Sequence, residues 1–145
     1  MTQKGFTLVE LLVVLVILGL LLSLAPAAFD RALPGLQLKE AARDVAAALR
    51  QARGLAVRDN REAVLIFDTE ARTYRVGETG GPRQLDPDIE ITLLTAESEL
   101  TDEFTGGMRF FPDGTSTGGQ VKLTRGTRDY AVRVDWLTGR VEIVE

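Results

Sequence analysis

The sequence predicts an α+β fold: a long N-terminal helix, membrane-spanning in its first half, packed on an antiparallel β-sheet head. Three observations predict it. The chain is apolar over a membrane's width close to its start. Apolar residues then recur at helical spacing as far as about residue 58. Beyond that the period drops to two, in short runs separated by Gly, Pro and Asp. The length of 145 residues fits one domain plus the membrane helix.

The first element is the membrane segment. From Phe6 to Ala28 the only strongly polar side chain is Glu10. At about 1.5 Å per residue the stretch spans roughly 34 Å, against a hydrocarbon core of about 30 Å. A carboxylate costs about 2.5–3.5 kcal/mol at mid-helix and less near an end, so Glu10 asks for a reason. Two processing fates are open. One is an ordinary secretory signal peptide, with Lys4 in its n-region and a small-x-small cut site at Ala25-Pro26-Ala27. A single lysine and the interrupting Glu10 count against it. The other fate keeps the helix.

The second element is the amphipathic continuation of that helix. Leu38, Ala41, Ala42, Val45, Leu49, Ala52 and Ala56 form one apolar stripe. Lys39, Glu40, Arg43, Asp44, Arg50 and Arg53 occupy the other side. Disturbances are expected at Pro26 and at Pro34-Gly35, and a stop at Asp59-Asn60.

Strands follow. Ala63-Val64-Leu65-Ile66-Phe67 and Thr73-Tyr74-Arg75-Val76 make a hairpin. Residues 77–82 read as a loop, 89–93 as a strand, 96–107 as an acidic irregular stretch, and 108–111 as a short strand closed by the turn Pro112-Asp113-Gly114. Residues 120–124 and 129–136 alternate. Leu137-Thr138-Gly139 turns the chain into a last strand, 140–144. Tyr130, Val132, Val134 and Trp136 share a face, with Val141 and Ile143 as expected core partners. The helix is expected on one sheet.

Composition excludes several chemistries. There is no Cys and no His, so disulfides, thiol or histidine nucleophiles and the usual zinc sets are absent. Nothing in the sequence points to paired-carboxylate chemistry, and the chain is read as no enzyme, with no cofactor and no metal. A net charge of −4 gives no bulk attraction to polyanions.

Gly5-Phe6-Thr7-Leu8-Val9-Glu10, before a long apolar helix, resembles the leader of type IV pilin-like proteins. Phe110-Phe111-Pro112-Asp113-Gly114-Thr115-Ser116, Val121-Lys122-Leu123 and Asp135-Trp136-Leu137-Thr138-Gly139-Arg140-Val141 resemble the GspH/FimT family. The resemblance covers both ends of the chain; residues 68–107 are not diagnostic. It implies a pilin-like fold with three parts: a leader, 1–5, cleaved between Gly5 and Phe6 by a prepilin peptidase that methylates Phe6; a transmembrane helix, 6–28; and a periplasmic head, 29–145. It implies a single-pass protein of the bacterial inner membrane, a minor pseudopilin of the type II secretion system that helps export folded proteins. Its partners would be other minor pseudopilins, the major pseudopilin, the inner-membrane secretion platform, the peptidase and membrane lipid. The alternative is a FimT-like minor pilin that primes type IV pili or takes part in DNA uptake.

Phe6 and Glu10 are the expected assembly residues. Cleavage exposes an ammonium at Phe6, and a neighbour's Glu10 could pair with it, fixing one axial register, because an unpaired charge in a low dielectric is heavily penalised. The other reading of Glu10 is a carboxylate stabilised by its own helix N-terminus. Elsewhere, Lys122, Arg125, Arg128, Arg133 and Arg140 suggest a nucleic-acid stripe, but Asp129, Asp135 and Glu142 are interleaved with them, and nucleic acid is disfavoured as a partner. Asp86, Asp88, Glu90 and the acids between Glu97 and Glu103 could hold calcium but lack a tight-loop pattern. Gly80-Gly81, Gly106-Gly107 and Gly118-Gly119 read as loop hinges. Trp136 is read as buried, with a neighbour-facing anchor as the alternative.

Overall fold

The structure, a computed structural model, describes the backbone of residues 7–145 and the side chains of residues 7–22 and 35–145. Two compact units divide after Pro34. Helix α1 (Leu8–Asp59) begins in the first and ends in the second. Its assignment continues through Pro26, Pro34 and Gly35, where the sequence predicted disturbances.

In the first unit the apolar side chains from Leu8 to Leu22 are exposed on every side of the helix. Such a surface needs lipid or other helices to cover it. Among the described residues no helix is long and apolar enough to cross a membrane. The expected span runs from Phe6 to Ala28, so both its ends lie outside the described side chains.

In the second unit α1 ends where the sequence places the stop. Asn60 takes the left-handed conformation at φ 49°, and the Arg61 N–H donates to the Ala56 carbonyl at 3.2 Å. This satisfies an orphan carbonyl as a Schellman cap does. All seven residues of the predicted apolar stripe are buried.

Eight antiparallel strands follow: β1 (Ala63–Asp68), β2 (Thr73–Val76), β3 (Arg83–Gln84), β4 (Glu90–Leu94), β5 (Thr105–Phe110), β6 (Gly119–Arg125), β7 (Arg128–Val134) and β8 (Val141–Val144). They form two sheets, with strand orders β3-β2-β1-β5 and β4-β6-β7-β8, where the sequence predicted one. The chain crosses between them three times, because β4 lies in the second sheet and β5 returns to the first. At the last crossing, between β5 and β6, Gly118 and Gly119 take positive φ, 73° and 137°. Leu65, Phe67, Tyr74, Met108 and Phe110 of the first sheet join Ile91, Val121, Leu123, Val132, Val134 and Val141 of the second around the helix stripe.

Three readings need correction. Gly106 and Gly107 lie inside β5, not in a hinge. A Cβ on Gly106 would stand 2.8 Å from Leu93 Cδ2, and one on Gly107 2.7 Å from Val64 Cγ1. These glycines are there for close packing, which composition alone cannot distinguish from a loop. Trp136 is 64% exposed: β7 ends at Val134 and a turn starts at Asp135, so the strand alternation no longer applies. Ile143 pairs opposite Val132 on the inner face, but β8 is an edge strand and leaves it 37% exposed. The two-residue strand β3 is too short to leave a periodic signal.

Candidate functional site

Gly5 and Phe6 lie outside the described residues; Thr7 and Glu10 do not. Thr7 is the N-cap of α1. Its Oγ1 accepts the Glu10 N–H at 3.3 Å, and its carbonyl accepts the Leu11 N–H at 3.2 Å. Thr7-x-x-Glu10 has the spacing of a capping box, but only the threonine half is made. The Glu10 carboxylate forms no hydrogen bond or ion pair among the described residues. Threonine serves the helix end.

The head brings together the two motif turns that the sequence keeps far apart. In the first, the Gly114 N–H donates to the Phe111 carbonyl at 2.9 Å, and Asp113 Oδ1 accepts the N–H and hydroxyl of Thr115 at 2.9 and 2.6 Å. In the second, the Gly139 N–H donates to the Asp135 carbonyl at 2.8 Å, and Asp135 Oδ1 accepts the N–H and hydroxyl of Thr138 at 2.8 and 2.7 Å. The Ser116 N–H donates to the Trp136 carbonyl at 2.8 Å and joins the two.

Arg53 of α1 clasps both turns. Its Nε donates to the Gly114 carbonyl and its Nη2 to the Thr138 carbonyl, each at 3.1 Å. Arg50 reaches the Val141 carbonyl at 3.2 Å. The helical pattern put both arginines on the solvent side, and no sequence signal separates a clasping arginine from a solvated one. Gly139 (φ 62°) closes the arrangement: a Cβ there would collide with the Gly114 carbonyl and stand 2.8 Å from Arg53 Nε. Gly139→Ala is therefore expected to cost at least about 1–2 kcal/mol from the left-handed backbone alone. Arg53→Ala should cost about 1 kcal/mol. Thermal unfolding of the two variants beside the parent checks both values.

Hydrogen bonds from the Thr115 side chain and backbone hold the Asp113 carboxyl below the ordinary carboxylate value, and Thr138 does the same for Asp135. A depressed folded-state value stabilises the fold above the unfolded one, near pH 3.9, and that stability is lost as pH falls through the folded one. Melting temperature is expected to fall on acidification below about pH 4, and less steeply in Asp113→Asn/Asp135→Asn, which keeps an acceptor oxygen but cannot titrate. Melting curves across that range measure it.

Among the five basic residues considered for nucleic acid, several are already engaged. Arg125 bridges Asp86 at 3.4 Å, Asp88 at 2.8 Å and the Gln37 side-chain oxygen of α1. Lys122 pairs with Asp129 at 3.2 Å and Arg140 with Glu142 at 3.0 Å. The Arg128 guanidinium lies where a Cβ on Gly35 would stand, so that glycine admits an arginine against the helix. The same contacts occupy Asp86 and Asp88, two of the calcium candidates. Among the described residues no three carboxylates gather as a metal site. Glu99 instead binds Arg109 at 2.9 Å, and Arg109 also reaches Glu62 at 2.8 Å.

An exposed apolar helix start that feeds a helix backed by two antiparallel sheets defines the class of pilin-like proteins. The profile of Type II transport protein GspH matches residues 41–139, and that of the prokaryotic N-terminal methylation motif matches residues 1–26. This chain belongs to the GspH family. It is 30% identical over 138 residues to Type II secretion system protein H of Xanthomonas campestris pv. campestris, covering 95% of this chain and 81% of the relative. The solved structure of the minor pseudopilin EpsH from the Type 2 Secretion System of Vibrio cholerae matches with a TM-score of 0.59 at 10% identity, over 74% of this chain and 96% of that one. The type IV minor pilin FimU of Pseudomonas aeruginosa matches with a TM-score of 0.58 at 14% identity, over 77% of this chain and 91% of that one. At those identities the likeness is one of fold.

Proposed function

We propose that this protein is a minor pseudopilin, a structural rather than catalytic subunit of the type II secretion pseudopilus that helps export folded proteins across the outer membrane. Residues 1–5 are the leader, removed between Gly5 and Phe6, with methylation of Phe6 by a prepilin peptidase. Residues 6–28 span the inner membrane, and 29–145 form the periplasmic head. The observation that carries this reading is the 30% identity to a type II secretion protein H across 95% of the chain.

Assembly follows from the helix start. The apolar surface of residues 8–22 stays out of water first in lipid, at about 25 cal/mol per Å², then against neighbouring helices. The free Glu10 carboxylate pairs with the Phe6 ammonium of an adjacent subunit. The neighbours are other minor pseudopilins and the major pseudopilin, and the inner-membrane platform drives assembly. The fold likeness to FimU favours a second reading, a minor pilin of type IV pili. Deleting the gene separates them. Loss of exoproteins from the medium with pili intact supports secretion. Loss of piliation or DNA uptake with secretion intact establishes the alternative.

A further inference from the structure

The two sheets end in four edge strands, β3, β5, β4 and β8. Three of these edges are protected. β3 is two residues long and follows Pro82. β5 is bonded along its outer side. Thr95 Oγ1 donates to the Gly107 carbonyl at 2.6 Å, and Ser116 Oγ and the Thr117 N–H donate to the Arg109 carbonyl at 2.7 and 3.0 Å. The Arg109 N–H in turn donates to Thr117 Oγ1 at 3.0 Å. β8 is held from α1 at both ends, by Arg50 at the Val141 carbonyl and by Lys39 at Glu145, 3.7 Å away. β4 is the exception. It pairs with β6 in unbroken register, and among the described residues no group outside that ladder bonds its backbone. An open edge recruits foreign strands, so proteins blunt edges with lysine, proline, bulges or a covering loop. β4 has none of these, and its single charge, Glu90, stands at the first position.

A groove of about 320 Å³ lies against this edge, lined in succession by Ile91, Thr92 and Leu93. Successive side chains point to opposite faces of a sheet, so three in a row mean that the groove meets the strand edge-on. Leu100 and Phe104, 50% and 45% exposed, add apolar surface to it. A Cβ on Gly106 would stand 2.8 Å from Leu93 Cδ2 and 3.0 Å from Leu100 Cδ2, so the missing side chain lets the two leucines meet. Glu103 also lines the groove, and Glu70, Arg72 and Glu90 line the cavity that continues it past Ile91 and Thr92. Among the described residues no salt bridge engages these four side chains, which leaves three acids against one base.

We propose that the β4 edge binds an extended segment of a different polypeptide, which adds to the second sheet as a fifth strand. Its backbone supplies the hydrogen bonds that β4 lacks on this side. Its alternate side chains are apolar, against Leu93, Leu100 and Phe104, and a lysine or arginine at one end meets the glutamates. A second copy is the wrong occupant. β4 is the open edge this chain has to offer, and it would bring the same glutamates to the same place, where like charges repel.

The probe is a fluorescent nine-residue peptide that alternates valine and threonine and carries a lysine at each end, titrated against the full-length protein in detergent micelles and read by anisotropy. Saturable binding is expected, at least about fivefold weaker for a peptide with glutamates at the ends. Methyl groups on one alternate set of peptide amides are expected to weaken binding at least about fivefold, and on the other set by less than about twofold, because only one set faces the edge. Phe104→Asp and Leu94→Lys, both at exposed positions, are expected to weaken binding about fivefold with melting temperature unchanged. Absence of saturable binding, equal losses from the two methylated sets, or full binding by both variants would overturn strand addition at β4 and leave the pseudopilin reading standing. Disulfide-linked dimers of Thr92→Cys in native membranes, well above those of Glu70→Cys, would assign the edge to a second copy and overturn it as well.

Discussion

Glu10→Leu is expected to insert into the membrane normally and to fall at least about tenfold in incorporation into filaments, a change of about 1.4 kcal/mol or more in subunit association. Two features separate insertion from assembly. The helix cap survives, because Thr7 Oγ1 accepts the backbone N–H of residue 10 whatever its side chain. Insertion improves, because a leucine replaces a carboxylate in an apolar segment. Assembly loses the anion, and the neighbour's Phe6 ammonium is left unpaired in a low dielectric. Removing one partner of a buried pair costs more than the pair itself contributes. Thr7→Ala should act differently: it costs about 0.5–2 kcal/mol of helix-end stability and leaves the Glu10 charge in place. Membrane fractionation and sheared-filament yield, measured on both variants, distinguish the roles. Normal filament yield from Glu10→Leu would remove the pairing from the account.

Phe110→Ala is expected to destabilise the head by about 3–5 kcal/mol. Phe110 is fully buried at the end of β5 and bridges to Ser116, on the chain's last passage from the first sheet to the second. Its loss opens a cavity between the sheets beneath the clasped turns. Against a typical total of about 5–15 kcal/mol, that is enough to leave a sizeable unfolded fraction at growth temperature. Its neighbour Phe111 is half-exposed and begins the turn, so Phe111→Ala should cost no more than about half as much. Chemical denaturation of the two variants checks the contrast.

What the sequence made legible follows periodicity. The stripe from Leu38 to Ala56 faces one core and was readable residue by residue, as were Val132 and Val134 of β7 and Val141 of β8. The stop at Asn60 was readable because few residues accept a positive φ. The second sheet was not legible, because nothing in the alternation of residues 89–93 says that β4 pairs with β6 while the intervening β5 pairs with β1. Trp136 misled because alternation holds only while the strand lasts. Both motif turns were visible as motifs, but the clasp joining them was not. It needs Arg53, and an arginine on the polar side of a helix looks the same whether it holds two carbonyls or water. At the helix start Glu10 stood out by its charge, whereas the cap role of Thr7 emerged only from its hydrogen bond.

Filament assembly as described requires the apolar helix to remain on the mature protein, with a new amine at Phe6. Intact mass and N-terminal sequence of the protein taken from its native membrane test this most directly. The account predicts a chain that begins at methylated Phe6 and retains every residue to Glu145. A chain beginning at Ala28, or an assembled one still carrying residues 1–5, would contradict it.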